Sequence, residues 1–166
     1  MKILDTQVSV SIIPQASKQA SKQASLDTAV YGSYLIDDEA LLQSASGGVA
    51  AALAEQTIKE GGYVAGVVWS DDFRRAHYAL FHSLDDLPKL RGSKYIEAEC
   101  GSIYSDVKRL IDDGQSVLFI GLPCTVAAVK QFVGSDDGGL LTCELICHGP
   151  TSAKVHEEYV ERLEKR

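Results

Sequence analysis

The chain has 166 residues, of which 45% are hydrophobic, and a formal net charge of −7. This length predicts one globular domain with a substantial core. The acidic balance argues against nucleic acid as a partner, because phosphate-binding surfaces need clustered Lys and Arg. No segment approaches the ~20 apolar residues of a membrane span. We therefore expect a cytoplasmic protein whose four cysteines are free, catalytic or metal ligands rather than disulfide-bonded.

The first 27 residues are predicted to form a flexible appendage. An apolar–polar alternation over residues 8–12 is typical of an edge strand. A Gln-Ala-Ser-Lys repeat over 15–25 follows, and it has no apolar face to bury. We place the domain itself at residues 28–166, beginning with a strand over 28–35.

The rest of the chain alternates strands and helices. A polar turn at 37–39 is followed by a helix that ends at Gly61 and by strands at 63–69 and 77–84. A short helical turn then begins at residue 85, and a helix covers 102–113. A strand at 117–120 precedes a helix that carries Val126, Val129, Phe132 and Val133, a strand covers 140–146, and in a last helix from Ser152 the side chains of Val155, Tyr159 and Leu163 share a face. This succession predicts an α/β fold with a mixed, largely parallel sheet flanked by helices.

Two polar segments have the composition of ligand-binding loops. Ser44-Ala45-Ser46-Gly47-Gly48 precedes a helix, so its hydroxyls and open backbone N–H groups suit a phosphate or pyrophosphate. The alternative is an ordinary N-cap supplied by Ser46. In Arg91-Gly92-Ser93-Lys94-Tyr95, Lys94 is suited to the edge of a flavin, where negative charge builds up on reduction. The alternative is a solvated basic turn.

A third segment combines a buried strand with a thiol. The apolar run 117–120 predicts a strand buried on both faces, and Gly121 allows a close approach of backbone or ligand. Pro123 suits the first helical position, so Cys124 falls in the first turn, where the helix dipole favours a thiolate. The alternative for Cys124 is a small buried hydrophobe.

The segment Cys147-His148-Gly149 places a second thiol beside an imidazole at a predicted strand end. The alternative is a core cysteine with a capping histidine. Cys143 would share a strand face with Cys147, although core packing is the simpler role for Cys143 and for Cys100. The sequence contains no C-x-x-C, hence no complete zinc or ferredoxin-type motif. The remaining histidines, which have no spaced partners, are predicted to be surface or structural: His77, His82 and His156.

Four segments, in order and at similar spacing over roughly residues 30–166, resemble the coenzyme F420 hydrogenase/dehydrogenase β-subunit family. They are Ser-Ala-Ser-Gly-Gly (44–48), Leu-Arg-Gly-Ser-Lys-Tyr (90–95), Val-Leu-Phe-Ile-Gly-Leu-Pro-Cys (117–124) and Cys-His-Gly-Pro-Thr-Ser (147–152). The resemblance implies a flavin-dependent oxidoreductase module that binds FAD and [4Fe–4S] clusters. Such a module moves electrons between clusters, FAD and a hydride acceptor such as coenzyme F420, alongside other subunits of an electron-transfer complex.

The resemblance also assigns individual residues. It implies that FAD is bound by Ser44, Ser46, Gly47, Gly48, Ser93, Lys94, Tyr95, Gly121, Pro123 and Cys124, that Lys94 and Cys124 are catalytic, and that Cys124 and Cys147 are cluster ligands. The chain departs from the family in having Thr125 where Gln is usual and in lacking further cysteine segments at either end. Because a [4Fe–4S] cluster takes four thiolates, we expect a truncated or split subunit that needs missing segments or a partner to hold one.

Two other classes of function remain open from the sequence. One is an enzyme that uses Cys124 as nucleophile with His148 as base. The other is a non-enzymatic remnant or docking domain, which would expose an apolar patch where a partner packs.

Overall fold

The computed structural model describes residues 8–12, of which only the backbone is considered, 31–134 and 138–166. The predicted Gln-Ala-Ser-Lys repeat lies outside these ranges, so the boundary between appendage and domain stays a prediction. The chain forms two compact units, Met1–Ala52 and Leu53–Arg166.

The first unit contains a two-stranded antiparallel sheet and a short helix. Strand β1 (Val8–Ile12) confirms the predicted alternation, and it pairs with β2 (Tyr31–Leu35). Helix α1 (Asp38–Leu42) follows where we predicted a polar turn. The Asp37 carboxylate accepts a hydrogen bond from the Ala40 N–H at 2.7 Å. This N-cap, with two acidic residues in the first turn, favours a helix over a turn.

The second unit is built on a five-stranded sheet. Its strands are β3 (Tyr63–Trp69), β4 (Ala76–Phe81), β5 (Ala98–Glu99), β6 (Val117–Gly121) and β7 (Leu140–Glu144), in the spatial order β5-β4-β3-β6-β7. Within this sheet β3 and β4 are antiparallel, and the other three neighbouring pairs are parallel. The predicted α/β fold with a mixed, largely parallel sheet is confirmed. β4, expected at an edge or half exposed, lies inside the sheet because β5 pairs with its outer side.

Helices cover both faces of this sheet. They are α2 (Val49–Lys59), which begins in the first unit, α3 (Leu87–Leu90), α4 (Ile103–Asp112) and α5 (Pro123–Val133). The last helix, α6 (Ala153–Glu164), contacts the turn between β3 and β4. In β6, Val117 and Phe119 pack into the core under α4 and α5, whereas Leu118 packs into the core with α2 and α3. All three are at most 1% exposed. A strand buried on both faces explains the unbroken apolar run.

Two helices expose apolar side chains that the sequence pattern placed together on them. On α5 the buried residues are Val126, Val129 and Val133, whereas Phe132 is 51% exposed. Phe132 is offset around the helix from this buried stripe, and its ring lies tilted against that of Tyr104 with a centroid distance of 6.3 Å. On α6 the predicted apolar face is likewise exposed.

Candidate functional site

Three of the four sequence motifs lie at one edge of the five-stranded sheet. The carboxyl ends of β3, β6 and β7 share that edge, because these strands are parallel. β5 begins at the same edge, because β4 returns antiparallel to β3 and its first residue, Ala76, pairs with Ala98. The carboxyl edge of an open α/β sheet is where ligands commonly bind.

The segment after β7 crosses this carboxyl edge. The Leu145 N–H donates to the Gly121 carbonyl at 2.9 Å, next to the end of β6. Further along, Thr151 forms a parallel bridge with Ile96, and the Thr151 carbonyl accepts from the Glu97 N–H at 2.9 Å. The structure therefore brings segment 147–152 against the end of segment 90–95. This contact is long-range and leaves no local signal in the sequence.

The turn after β6 is held by two hydroxyl groups that the sequence analysis did not connect. The Tyr78 hydroxyl lies 2.9 Å from Thr125 Oγ1, and the Thr125 hydroxyl donates to the Leu122 carbonyl at 2.9 Å. A Cβ atom on Gly121 would lie 2.5 Å from each of these hydroxyl oxygens. A close approach does occur at Gly121, but side-chain hydroxyl groups make it rather than the predicted backbone or ligand. Burial raises the pKa of the Tyr78 phenol.

Cys124 lies on the surface in the first turn of α5. Pro123 precedes it at the start of the helix, as predicted. The thiol is exposed, so the alternative of a buried hydrophobe is wrong for Cys124. The N-cap residue is Leu122, which supplies no side-chain acceptor to the N–H groups of the first turn. These N–H groups and the helix dipole suit an anion or an acceptor atom of a ligand.

Lys94 is half-buried beneath its loop rather than solvated. Its ammonium group donates to the carbonyls of Lys89, Leu90 and Arg91 at 3.0, 3.1 and 3.0 Å. These carbonyls lie at the C-terminal end of α3, so Lys94 caps that helix. Burial lowers the pKa of Lys94 to about 8, while the carbonyls favour its protonated form. The neighbouring Tyr95 is 80% exposed.

The remaining cysteines are separated in the structure. Cys147 is exposed in the loop after β7, where its sulfur accepts from the Gly149 N–H at 3.2 Å. Because β7 ends at Glu144, the strand face predicted to be shared by Cys143 and Cys147 does not form. Cys143 packs against the α2–α3 core, and burial raises its thiol pKa. Cys100 is also partly buried.

Metal ligands do not cluster in the described part of the chain. Over residues 31–134 and 138–166, no group of three or more His, Cys, Asp or Glu side chains could hold a metal ion. The donor set of these residues alone therefore does not fit a four-thiolate cluster.

The Ser44–Gly48 loop belongs to the first unit. The Gly48 carbonyl accepts from the Ala52 N–H at 3.0 Å and α2 begins at Val49, so the N-cap predicted for Ser46 is wrong. A Cβ atom on Gly47 would collide with the Ser33 carbonyl oxygen, and one on Gly48 would collide with a β2 leucine side chain. Both glycines thus allow the loop to pack against β2. Ser46 is exposed and has a left-handed backbone, with φ 53°.

The three other histidines are surface or structural, as predicted. His82 Nδ1 lies 3.0 Å from the Gly62 carbonyl oxygen, and His156 Nε2 lies 2.8 Å from the Phe73 carbonyl oxygen. His77 is exposed on β4.

The chain resembles a solved protein chain in fold. That chain belongs to the xenon-derivatised F420-reducing [NiFe] hydrogenase complex of Methanosarcina barkeri, with a TM-score of 0.64 and 23% sequence identity. The match covers 79% of this chain and 48% of the solved one, so this chain spans about half the length of its structural relative. No protein-family model matches the sequence, and a search of curated proteins finds no match. Among the described residues, no helix is long and apolar enough to cross a membrane.

Proposed function

We propose that this chain is the flavin-binding part of an electron-transfer oxidoreductase of the coenzyme F420 hydrogenase/dehydrogenase β-subunit type. The observation that carries the proposal is that segments 90–95, 121–124 and 147–152 all lie at one carboxyl edge of the sheet. These segments are far apart in sequence, and they are the ones that carry the family resemblance. The fold likeness to a chain of an F420-reducing hydrogenase complex supports the same assignment.

The residues at the carboxyl edge fit FAD in character. The first turn of α5, at Pro123 and Cys124, offers backbone N–H groups that no side chain of its N-cap residue accepts from. In the first unit, and considered separately, the Ser44–Gly48 loop is a candidate for phosphate contacts, because its Ser46 is exposed. Bound FAD would supply the exchange between a two-electron hydride and single electrons.

Lys94 has a more specific role in this proposal than its position in the motif suggests. All three of its N–H donors face carbonyls at the end of α3. We therefore assign it to shaping the 91–95 loop, with Tyr95 as the exposed ring available to a ligand. The predicted direct catalytic role of Lys94 would require its ammonium to leave those carbonyls.

The cluster part of the predicted function needs donors beyond the described residues. Cys124 and Cys147 are both exposed and available as ligands, but the metal-ligand geometry at them is incomplete. We propose that other subunits or further chain supply the electron path, and we assign no step to a cluster on this chain.

An absorbance spectrum of protein purified without air tests the proposal. We expect flavin bands, or flavin bands that appear after incubation with FAD. Titration with FAD, followed by quenching of flavin fluorescence, then gives the dissociation constant. A colourless protein that binds no FAD at millimolar FAD concentration would refute the proposal.

One substitution at Ser46 and a control substitution at Ser102 separate ligand contact from folding. Ser46→Gly removes the hydroxyl and suits the left-handed backbone, so the loop keeps its shape. We expect ~10-fold weaker FAD binding with no loss of thermal stability, as for the loss of one hydrogen bond to a charged group. Ser102→Gly, at the exposed start of α4, is the matched control and should leave FAD affinity unchanged. Equal affinity in all three proteins would remove Ser46 from the site.

The exposure of Cys124 favours a cysteine nucleophile as the second candidate function. No hydrogen bond joins its thiol to a histidine or carboxylate in the described ranges, so His148 is not placed as its base. A nucleophile at this position predicts alkylation of Cys124 at neutral pH much faster than alkylation of Cys147, which is exposed but lies in a loop. Equal alkylation rates for the two thiols would exclude this candidate.

A further inference from the structure

Helix α6 contacts the rest of the second unit through its polar side chains. The guanidinium group of Arg74, in the turn between β3 and β4, lies 2.6 Å from the Glu164 carboxylate and 3.8 Å from the Glu161 carboxylate. The His156 ring stacks on Trp69 with a centroid distance of 5.0 Å, and Arg75 lies 3.9 Å from Glu157. The half-buried side of α6 therefore combines these charged and aromatic contacts with Ala153 and Val160.

The apolar stripe of α6 points away from this attachment. Val155, Tyr159 and Leu163, spaced four residues apart, are 58%, 59% and 47% exposed. Beside the helix, Phe73 is 63% exposed, and its carbonyl oxygen lies within hydrogen-bond distance of the His156 ring. An amphipathic helix on a globular domain normally buries its apolar stripe. An exposed stripe of this kind marks an interaction surface.

Two charged residues lie beside the stripe without partners. Glu158 and Arg162 are exposed on α6, and neither makes an ion pair with any described residue, although their spacing would allow a pair within the helix. Every other glutamate on α6 that faces the β3–β4 turn is paired with an arginine. Glu158 and Arg162 are therefore free to pair with a second molecule.

We propose that α6 pairs with α6 of a second copy of this chain, antiparallel and around a twofold axis level with Val160. In that register Glu158 of each copy lies opposite Arg162 of the other, and the stripes of Tyr159 and Leu163 interleave. A twofold contact is self-complementary, so each charge pair occurs twice. In a parallel twofold pairing, the Glu158 and Arg162 flanks of the two copies lie on opposite sides of the contact, so these charge pairs do not form.

Sedimentation equilibrium of the full chain, with and without charge reversal, tests this arrangement. We expect the unchanged chain to be a dimer at micromolar concentration. Arg162→Glu and Glu158→Arg should each weaken the dimer by about tenfold or more, because each substitution creates two like-charge contacts. The exposed residue Arg109 on α4 gives the matched control Arg109→Glu, which should leave the dimer intact.

Mixing the two charge-reversal variants is the decisive step. One variant carries two arginines beside the stripe and the other carries two glutamates, so an equimolar mixture should form a heterodimer at the affinity of the unchanged protein. The double variant Glu158→Arg/Arg162→Glu should also dimerise normally. Far-UV circular dichroism confirms that each variant is folded.

Three results would overturn the proposal. The first is an unchanged chain that stays monomeric up to ~100 μM, because a dimer with a weaker dissociation constant would not form at ordinary protein concentrations. Another occupant would then have to cover the stripe. The second is a dimer that neither charge reversal weakens. The third is a mixture of the two reversals that stays monomeric.

Discussion

Gly121→Ala is expected to destabilise the second unit by ~2–4 kcal/mol. The new Cβ would lie 2.5 Å from the hydroxyl oxygens of Tyr78 and Thr125 and 2.8 Å from a ring carbon of Phe119. Each hydroxyl must retreat by about 0.9 Å to reach an ordinary contact of 3.4 Å. Phe119 is fully buried and stacked on Tyr78 at 5.1 Å, so it has little room to move. Overpacking of this kind costs ~1–3 kcal/mol, and a broken Tyr78–Thr125 hydrogen bond adds ~1 kcal/mol.

Urea unfolding followed by the fluorescence of Trp69, the single tryptophan, measures this effect. Gly66→Ala is the matched control on the neighbouring strand, because its Cβ would meet only the flexible end of the Leu90 side chain. A Tyr78→Phe substitution removes one of the obstructing hydroxyls. It should cost ~1 kcal/mol alone and much less in the Gly121→Ala background. The reasoning fails if Gly121→Ala costs no more than Gly66→Ala, or if the effects at Gly121 and Tyr78 simply add.

Three further outcomes follow from the site. Lys94→Met should lower the free energy of unfolding by about 1–3 kcal/mol, because three carbonyls at the end of α3 lose their donor. The control Lys89→Met removes an exposed surface ion pair and should lower the free energy of unfolding by less than half as much. Equal losses in the two variants would contradict the capping role of Lys94. Burial raises the pKa values of Tyr78 and Tyr104 in the folded chain, so their contribution to stability is complete below pH ~10 and is lost above it, where the unfolded chain ionises first. The lowered pKa of Lys94 changes stability in the opposite direction from about pH 8 upward. Unfolding titrations from pH ~8 to ~11 are therefore made in the Lys94→Met background, where they should show the tyrosine loss, with a smaller loss when Tyr78→Phe is added. Ser46→Gly should raise the free energy of unfolding by ~1 kcal/mol, because glycine adopts the left-handed backbone conformation of Ser46 without steric cost. Ser46→Ala should bring no such gain. Equal stabilities of the two variants would show that this backbone conformation stores no strain.

The elements of the second unit could be predicted because their signals are local. The apolar run in β6 and the spacing of Val126, Val129 and Val133 on α5 follow from which side chains face the two cores. The order of the strands is not local, since β5 is a two-residue strand with no pattern of its own. For that reason the sequence predicts β4 as an edge or half-exposed strand: the edge position is wrong, whereas half of its six residues are indeed partly or fully exposed.

The candidate site could be predicted as a set of segments but not as a set of contacts. The motifs identify Gly121, Lys94 and the Ser44–Gly48 loop, yet the structure gives each a partner within the chain. Gly121 admits the hydroxyls of Tyr78 and Thr125, and Lys94 caps α3. These packing roles already explain why glycine and lysine occur at these positions, so the motif match there is weak support for a bound ligand. The common position of segments 90–95, 121–124 and 147–152 at the carboxyl edge is the stronger support.

Helix α6 shows why periodicity alone leaves the direction of burial undetermined. A stripe at spacing four fixes which side chains share a face, but either face can meet the domain. Here Arg74 and Arg75 in the β3–β4 turn supply partners for glutamates, and Trp69 supplies a ring for His156. Exposed ion pairs each contribute little, ~0–1 kcal/mol, so the attachment of α6 is weak compared with a helix that buries its stripe. A second copy that covers Val155, Tyr159 and Leu163 would add the missing apolar burial, and α6 should therefore become more protected from hydrogen exchange as the chain dimerises.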